Sequence, residues 1–161
     1  MARLDGINRR ILELLQADSS ITNQDLASRI GLAPATTLER VKKLEAAGVI
    51  RQYVALVDEK KVEKHIKAFI FVTMKEHSSQ VMTTFNSRIN SLPEVMECHR
   101  LAGEKDYLLK VICDNIEDFE EFTRERLTTI PGIDKTSSTI VLSTIVEKTS
   151  VPLAGSDPVN T

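Results

Sequence analysis

A motif that occurs twice in the second half of the chain limits the fold more than any other feature of the sequence. One copy, SLPEV at residues 91–95, ends a helix-like stretch, and the other, TIPGI at residues 129–133, does the same thirty-eight residues later. A strand-like run follows each copy, and between them lie a further strand-like run after the turn GEKD and a helical pattern from Asn115. With the strand-like IKAFIFVTM at residues 66–74, the order becomes βα, ββ, αβ. We therefore predict an α+β chain whose second half is a ferredoxin-like βαββαβ domain, a four-stranded antiparallel sheet with both helices on one face.

The first strand of this domain has apolar side chains on both of its faces. Phe69 and Phe71 alternate with a second apolar set: Ile66, Ala68, Ile70, Val72 and Met74. Two helices can cover only one side of the sheet, so we expect a second copy of the chain to cover the other side in a symmetric homodimer. The alternative is cover by the chain's own C-terminal segment, VPLAGSDPVNT, although this segment is short, contains prolines and is expected to be a flexible tail.

Three short helical patterns and one strand-like run occupy the first sixty residues. Their apolar positions recur at helical spacing: Ile7, Ile11, Leu14 and Leu15, then Leu26, Ala27 and Ile30, then Leu38, Val41 and Leu44. Pro34 fits the first turn of the third helix, where its missing N–H group needs no partner. Because few residues separate the second and third helices, we predict a helix-turn-helix. The run VIRQYVALVD at residues 49–58 alternates and is rich in β-branched residues, which predicts a small two-stranded wing.

The predicted third helix has the chemistry of a helix that enters a DNA groove. We expect the small and polar side chains near its start to contact base edges, the basic ones further along to contact phosphates, and the wing to add one contact. The predicted DNA-binding residues are Ala35, Thr36, Thr37, Arg40, Lys43 and Arg51. On charge alone, the basic residues would be interpreted as a solvated helix face. Three helices at this spacing followed by a wing favour double-stranded DNA as the partner.

Composition excludes several other classes of protein. The 161 residues are 42% hydrophobic with a net charge of −2, so we expect small globular domains and a local basic patch rather than a strongly basic chain. No apolar run is long enough to span a bilayer, and the N-terminus MARLDGINRR lacks the apolar core of a secretion signal, which predicts a cytoplasmic protein. Cys98 and Cys113 lack CxxC spacing and lie in apolar runs, so both are predicted to be reduced core residues.

The sequence contains no pattern that indicates catalysis, a metal site or a bound cofactor. His65, His77 and His99 are scattered, and neither HxxxH, HExxH nor a nucleophile elbow is present. We therefore predict that the protein is not an enzyme.

The chain up to about residue 150 resembles the Lrp/AsnC family of bacterial and archaeal feast/famine regulators. The matching segments are, in order, LDGINRRILELLQAD, GLAPATTLERVKKLEAAGVI, YVALVD, PEVMECHRLAGEKDYLLKV and the PGI that opens the last strand. This resemblance implies an N-terminal winged helix-turn-helix and a C-terminal domain that dimerises, assembles into tetramers or octamers, and senses small molecules, usually amino acids. Ala33 departs from the family pattern, in which a serine commonly caps the recognition helix, and this absence removes about 1 kcal/mol of capping.

The resemblance also places the effector between dimers, near the hairpin of the second and third strands and near the start of the last strand. The residues at these positions are Leu101, Ala102, Gly103, Asp106, Thr136, Ser137 and Ser138. Such a hairpin suits a zwitterion, because glycine lets a ligand approach the backbone, N–H groups can hold a carboxylate, and Asp106 can hold an ammonium group. The alternative is a hairpin in which Asp106 only bonds its own turn.

Together these features predict a sequence-specific DNA-binding transcriptional regulator whose assembly and DNA affinity respond to a small effector, an amino acid. An architectural DNA-binding protein of the same fold, without an effector response, is the alternative. The predicted domains are residues 1–57 for the winged helix-turn-helix, 58–65 for a linker, 66–150 for the effector-binding and oligomerisation domain, and 151–161 for the tail.

Overall fold

The structure, a computed structural model, describes residues 4–153 and divides the chain into two units. Of the described residues, the first unit holds 4–56 and 146–153, and the second unit is Val57–Ile145. The division at residues 56 and 57 lies next to the predicted domain boundary. Residues 146–150, which we expected in the second domain, group with the first unit instead.

The first unit contains three helices, where the helical spacing of the apolar residues predicts them. They are α1 (Gly6–Ala17), α2 (Asn23–Ile30) and α3 (Pro34–Ala46). The Asp5 carboxylate accepts the Asn8 N–H at 2.7 Å at the start of α1, and the Thr22 hydroxyl accepts the Asp25 N–H at 3.1 Å at the start of α2. The helices enclose a small core of Ile11, Leu12, Leu26 and Leu44. These contacts confirm the predicted helix-turn-helix.

The described part of the predicted tail packs on the first unit. Gln16 and the backbone of Val151 exchange two hydrogen bonds, of 2.6 and 3.2 Å, and Leu153 lies against the helical core. The rest of the predicted tail, residues 154–161, lies outside the described residues.

The predicted two-stranded wing is not formed. Residues 51–58 carry no strand, and the side chains of Tyr53, Val54 and Leu56 are exposed. The Tyr53 hydroxyl donates a 2.8 Å hydrogen bond to Glu45, and partial burial together with this carboxylate raises the pKa of Tyr53 to about 12. A strand needs a neighbour for its backbone hydrogen bonds, and the described part of a single chain supplies none here.

The second unit has the predicted βαββαβ order. Its elements are β1 (Ile66–Met74), α4 (Ser79–Asn90), β2 (Val95–Arg100), β3 (Tyr107–Cys113), α5 (Ile116–Glu121), which continues as a π-helical segment (Phe122–Leu127), and β4 (Ile133–Ile140). All pairs are antiparallel, in the order β2-β3-β1-β4. This architecture confirms the ferredoxin-like prediction.

The two faces of the sheet differ as the alternation in β1 predicts. One face is buried under the helices, where Ala68, Ile70, Val72 and Met74 pack with a set of aromatic and aliphatic helix residues that includes Phe85, Phe122 and Leu127. On the other face, which we call the open face, Phe69 is 36% exposed and Phe71 is half-buried. The sheet therefore keeps apolar surface on the side without helices.

The segment before β1, which we predicted as a linker, is attached to the second unit. It contains a short 3-10 helix (Glu59–Val62), and the Glu59 carboxylate pairs with Lys67 of β1 at 2.7 Å. Lys64 pairs with Asp114, which follows β3. Two ion pairs therefore hold this charged segment against the sheet.

The two cysteines differ in exposure, and one of the two predictions made for them is wrong. Cys113 is buried, and burial raises the pKa of its thiol to about 11. Cys98 is exposed, because it lies on β2, the edge strand whose side chains are mostly uncovered. Both thiols are free. None of the helices within residues 4–153 has the length and apolar character that crossing a membrane requires.

Candidate functional site

The start of α3 has no side-chain cap and is held by backbone contacts and by a side chain of α2. Pro34 occupies the first turn, and Ala33, at the N-cap, makes no side-chain capping bond. The Ala33 carbonyl accepts the Thr37 N–H at 3.0 Å, and the Asn23 amide of α2 donates to the Pro34 carbonyl at 2.9 Å. The Asn23 amide thus joins α2 to the first turn of α3, although it does not supply the acceptor that a capping serine would.

The structure reverses the predicted positions of Thr37 and Leu38. Thr37 is fully buried, and its hydroxyl donates to the Ala33 carbonyl at 3.1 Å, whereas Leu38 is 43% exposed. The sequence predicts Leu38 in the core with Val41 and Leu44, and Thr37 among the DNA-binding residues. Both residues fit helical spacing with Val41 and Leu44, but a threonine can be buried when its hydroxyl bonds a carbonyl one turn earlier. Thr37 is therefore not available to DNA.

Arg40 is engaged within the first unit. Its guanidinium donates to the Asp5 carboxylate at 2.9 Å and to the Asn8 side-chain oxygen at 3.0 Å. The Asn8 N–H and then the Arg40 guanidinium hold the pKa of Asp5 below its usual value. Arg40 thus ties α3 to the start of α1 and does not project from the outer face as we predicted.

The exposed face of α3 retains the other predicted residues. Ala35, Thr36 and Lys43 are exposed there, and Arg51 is exposed beyond the end of the helix. Two exposed residues were absent from the prediction. Glu39 pairs with Lys43 at 2.7 Å, a bond that lowers the pKa of the Glu39 carboxyl, and Lys42 lies on the same face. Their position four residues or two turns after Ala35 could have identified them.

The chemistry of this face suits a DNA groove. Side chains near the start of α3 are short enough for base edges to come close, and the two lysines near its end can meet phosphates. The Glu39 carboxylate lowers the net charge of the face, but its ion pair with Lys43 can exchange for a phosphate contact.

The hairpin between β2 and β3 is fastened to the end of β1 by Asp106. The Asp106 carboxylate accepts the Met74 N–H at 2.7 Å, and its other oxygen lies 2.6 Å from Nε2 of His77. The Asp106 N–H also donates to the Val72 carbonyl at 3.0 Å. The Met74 N–H and then His77 hold the pKa of Asp106 below its usual value. Asp106 is therefore an ionised side chain that bonds the neighbouring strand, not its own turn.

The tip of the hairpin leaves room for a ligand. Ala102 and Gly103 are exposed, and Leu101, whose N–H donates to the Asp106 carbonyl at 2.8 Å, is half-buried. Gly103 has φ of 157°, and no atom lies within 4 Å of the position that a Cβ would occupy. The backbone at Gly103 is thus open to close approach from outside the chain.

The predicted residues of β4 do not share one face. Thr136 pairs with Val72 and Ser138 with Ile70, so both belong to the helix-covered side, whereas Ser137 pairs with Phe71 on the open face. Two strand spacings, about 10 Å, separate Thr136 from Tyr107 at the hairpin. Within one chain, the seven predicted effector residues therefore do not form a single pocket, and the site expected between dimers stays a prediction.

A cavity of about 310 Å³ lies at the other end of the sheet, where β1 begins and β3 ends. Its lining carries charges of both signs: Lys64, Glu94, Cys113, Asp114, Asp118, Glu121, Phe122 and Arg126. Arg126 pairs with Glu94 and Lys64 with Asp114, so much of this charge is neutralised internally. The cavity lies about 20 Å along β3 from the hairpin, and it contains no predicted site residue. Within residues 4–153, no three His, Cys, Asp or Glu side chains are grouped as metal ligands.

Comparisons with known proteins identify both units. Residues 4–51 match the family model described as winged helix-turn-helix DNA-binding, and residues 67–151 match the Lrp/AsnC ligand binding domain. Transcriptional regulator AzlB of Bacillus subtilis is 35% identical over 93% of this chain and 96% of its own length. The leucine-responsive regulatory protein of Escherichia coli K12 is 34% identical over 88% of this chain and 87% of its own length. A transcriptional regulator of Neisseria meningitidis, solved as its L-Met complex, superposes with a TM-score of 0.90 at 35% identity, covering 94% of this chain and 98% of that chain. The chain therefore belongs to the Lrp/AsnC family of DNA-binding transcriptional regulators.

Proposed function

We propose that the protein senses an amino acid at the β2–β3 hairpin and changes its affinity for operator DNA in response. The observation that carries this proposal is a hairpin that holds the ionised Asp106 carboxylate and, three residues earlier, the open backbone of Gly103. A free amino acid has a carboxylate for backbone N–H groups and an ammonium group for a carboxylate. The L-Met complex of the Neisseria relative supports an amino acid as the class of effector.

In this proposal, the ammonium group of the effector replaces His77 at Asp106. The Met74 N–H keeps one carboxylate oxygen in place, so the other oxygen is the one that becomes available. The tip of the hairpin is exposed, so one chain supplies only part of the lining of a pocket there. We propose that residues of a neighbouring dimer complete the pocket. The polar side chains of β4 add hydroxyl groups to this pocket from the chain whose β4 faces the hairpin. These side chains are Thr136, Ser137 and Ser138.

We further propose that the open face forms a symmetric dimer. Phe69, Phe71 and Leu108 leave apolar surface on the side of the sheet that has no helices. Two chains joined there carry two helix-turn-helix units, which suits a palindromic operator whose half-sites lie about one helical turn or a multiple of it apart. Dimers assemble further into tetramers or octamers, and effector binding changes that assembly. We propose that each helix-turn-helix unit contacts DNA through four residues: Ala35, Thr36, Lys43 and Arg51.

Isothermal titration calorimetry with the twenty standard amino acids tests the effector proposal. We expect heat from one or a few of them with the wild type, and none with Asp106→Asn, which keeps the size of the side chain but removes its charge. Asp114→Asn is the matched control, because Asp114 is also an ion-paired aspartate of the same unit but lies at the other end of the sheet. We expect it to bind as the wild type does. Silence across all twenty amino acids with intact DNA binding would contradict the proposal and favour an architectural role.

A further inference from the structure

The exposed side chain of Leu38 lies on the face of α3 that is available to DNA. Thr37 takes the inward position beside it, so the core of the first unit is closed without this leucine. Leu38 follows Ala35 by one turn and precedes Lys42 by another. Residues spaced in this way form one stripe along the helix, and here the stripe is apolar at its first two positions and basic at its third.

The neighbouring stripe of the same helix has a different character. Thr36, Glu39 and Lys43 follow it at the same spacing, and the last two form an ion pair. The helix therefore presents a polar line beside an apolar one, and both lines end in a lysine that can reach phosphate.

The major groove contains one apolar group that an aliphatic side chain can recognise, the C5 methyl of thymine. Adenine and guanine present hydrogen-bonding groups along that edge, and cytosine has an amino group and only a hydrogen atom at C5. A leucine cannot satisfy those groups and would leave them desolvated. An apolar protein partner fits less well, because the stripe has only two apolar residues and lies beside Glu39, Lys42 and Lys43.

We propose that Leu38 is a specificity-determining residue that reads a thymine methyl group in each operator half-site, with Ala35 allowing the bases to come close. The inference requires that α3 enters the major groove, and it is independent of any effector. Leu38 selects thymine over cytosine and over uracil at one position, since only thymine carries the methyl group.

The test uses the full chain and removes single methyl groups from its operator. A preferred site is first selected from random double-stranded DNA, and each thymine is then replaced in turn by deoxyuridine, which changes nothing but the methyl. We expect wild-type affinity, measured by fluorescence anisotropy, to fall about fourfold when uracil replaces thymine at one symmetry-related pair of positions. This factor corresponds to the free energy of burying one methyl group. The Leu38→Ala variant should bind the operators with uracil and with thymine at that pair with equal affinity.

Two further variants keep the test decisive. Lys42→Met should weaken binding to all sequences and lower the salt dependence by about one unit, yet retain the full preference for thymine. Leu38→Gln, a polar residue with good helix propensity, replaces Leu38→Ala if that variant unfolds, and it should also lose the preference. The inference is overturned if no thymine of the selected site is sensitive to uracil, if no site is selected, or if both Leu38 variants retain the wild-type ratio.

Discussion

Thr37→Val separates the buried position of this residue from the DNA contact that the sequence suggests. Valine has nearly the same shape as threonine and lacks only the hydroxyl. In the structure that hydroxyl donates to the Ala33 carbonyl, which also accepts the Thr37 N–H, so the substitution leaves no carbonyl without a partner. We expect the variant to fold and to bind DNA as the wild type does.

The change in stability follows from two opposing effects. Loss of a neutral hydrogen bond costs about 1 kcal/mol, and removal of a buried hydroxyl returns part of that cost because the group no longer has to be desolvated. The net destabilisation of the first unit should therefore lie between 0 and about 1 kcal/mol. For a unit of this size, 1 kcal/mol corresponds to a shift of about 4–8 °C in its melting temperature.

The matched control is Thr36→Val, the same chemical change at the adjacent, exposed position. If Thr36 donates one hydrogen bond to DNA, this variant should lose about 0.5–1.5 kcal/mol of binding energy, roughly two- to twelvefold in affinity, with an unchanged melting temperature. Calorimetric unfolding and fluorescence anisotropy on the same operator measure both quantities. A Thr37→Val protein with wild-type melting temperature and tenfold weaker DNA binding would refute the buried position of Thr37.

Three further perturbations probe the second unit. Gly132→Ala would bring a Cβ to 2.3 Å from Cγ1 of Val81 at a φ of 93°, so we expect roughly 2–4 kcal/mol of destabilisation in calorimetry; wild-type stability would show that the β4 entry is misplaced. Because the pKa of Asp106 is lowered by folding, its stabilising effect is present at neutral pH and is lost as the pH falls below about 4. Asp106→Asn should therefore lower the melting temperature at pH 7 more than at pH 3, and equal shifts would contradict the ionised contact. Phe69→Glu should convert dimers to monomers in sedimentation velocity, and an unchanged mass would exclude the open face as the contact.

The architecture of the second unit could be predicted because its signals are local and agree with one another. The repeated proline motif marks the end of each helix, and the apolar alternation in residues 66–74 marks a strand with a covered face. Both features follow from backbone geometry that a short segment determines by itself. The same reasoning predicts Pro34 in the first turn of the third helix, where the structure has it.

The errors arose where a neighbouring element decides the outcome. Thr37 and Leu38 both fit a helical face, and only the packing of α1 and α2 decides which of them is buried. The sequence predicts Arg40 as an exposed basic residue, because its partners Asp5 and Asn8 lie more than thirty positions earlier in the chain. The wing needs a pairing strand that the described chain does not supply.

The division of the β4 residues between the two faces of the sheet follows from the sequence alone. Consecutive residues of a strand point to opposite faces, so Thr136 and Ser138 could have been separated from Ser137 by inspection of the sequence. The contacts of Asp106 could not have been predicted in that way. They depend on the end of β1 and on His77, and no local pattern brings these residues to the hairpin.

The central claim is that effector binding in the second unit changes DNA binding by the first. The most direct test measures operator affinity by fluorescence anisotropy with and without a saturating concentration of the amino acid that gives heat in calorimetry. We predict a change of about 5- to 150-fold, a coupling of about 1–3 kcal/mol, which is lost in Asp106→Asn and retained in Asp114→Asn. Equal operator affinity at zero and saturating effector would contradict the account.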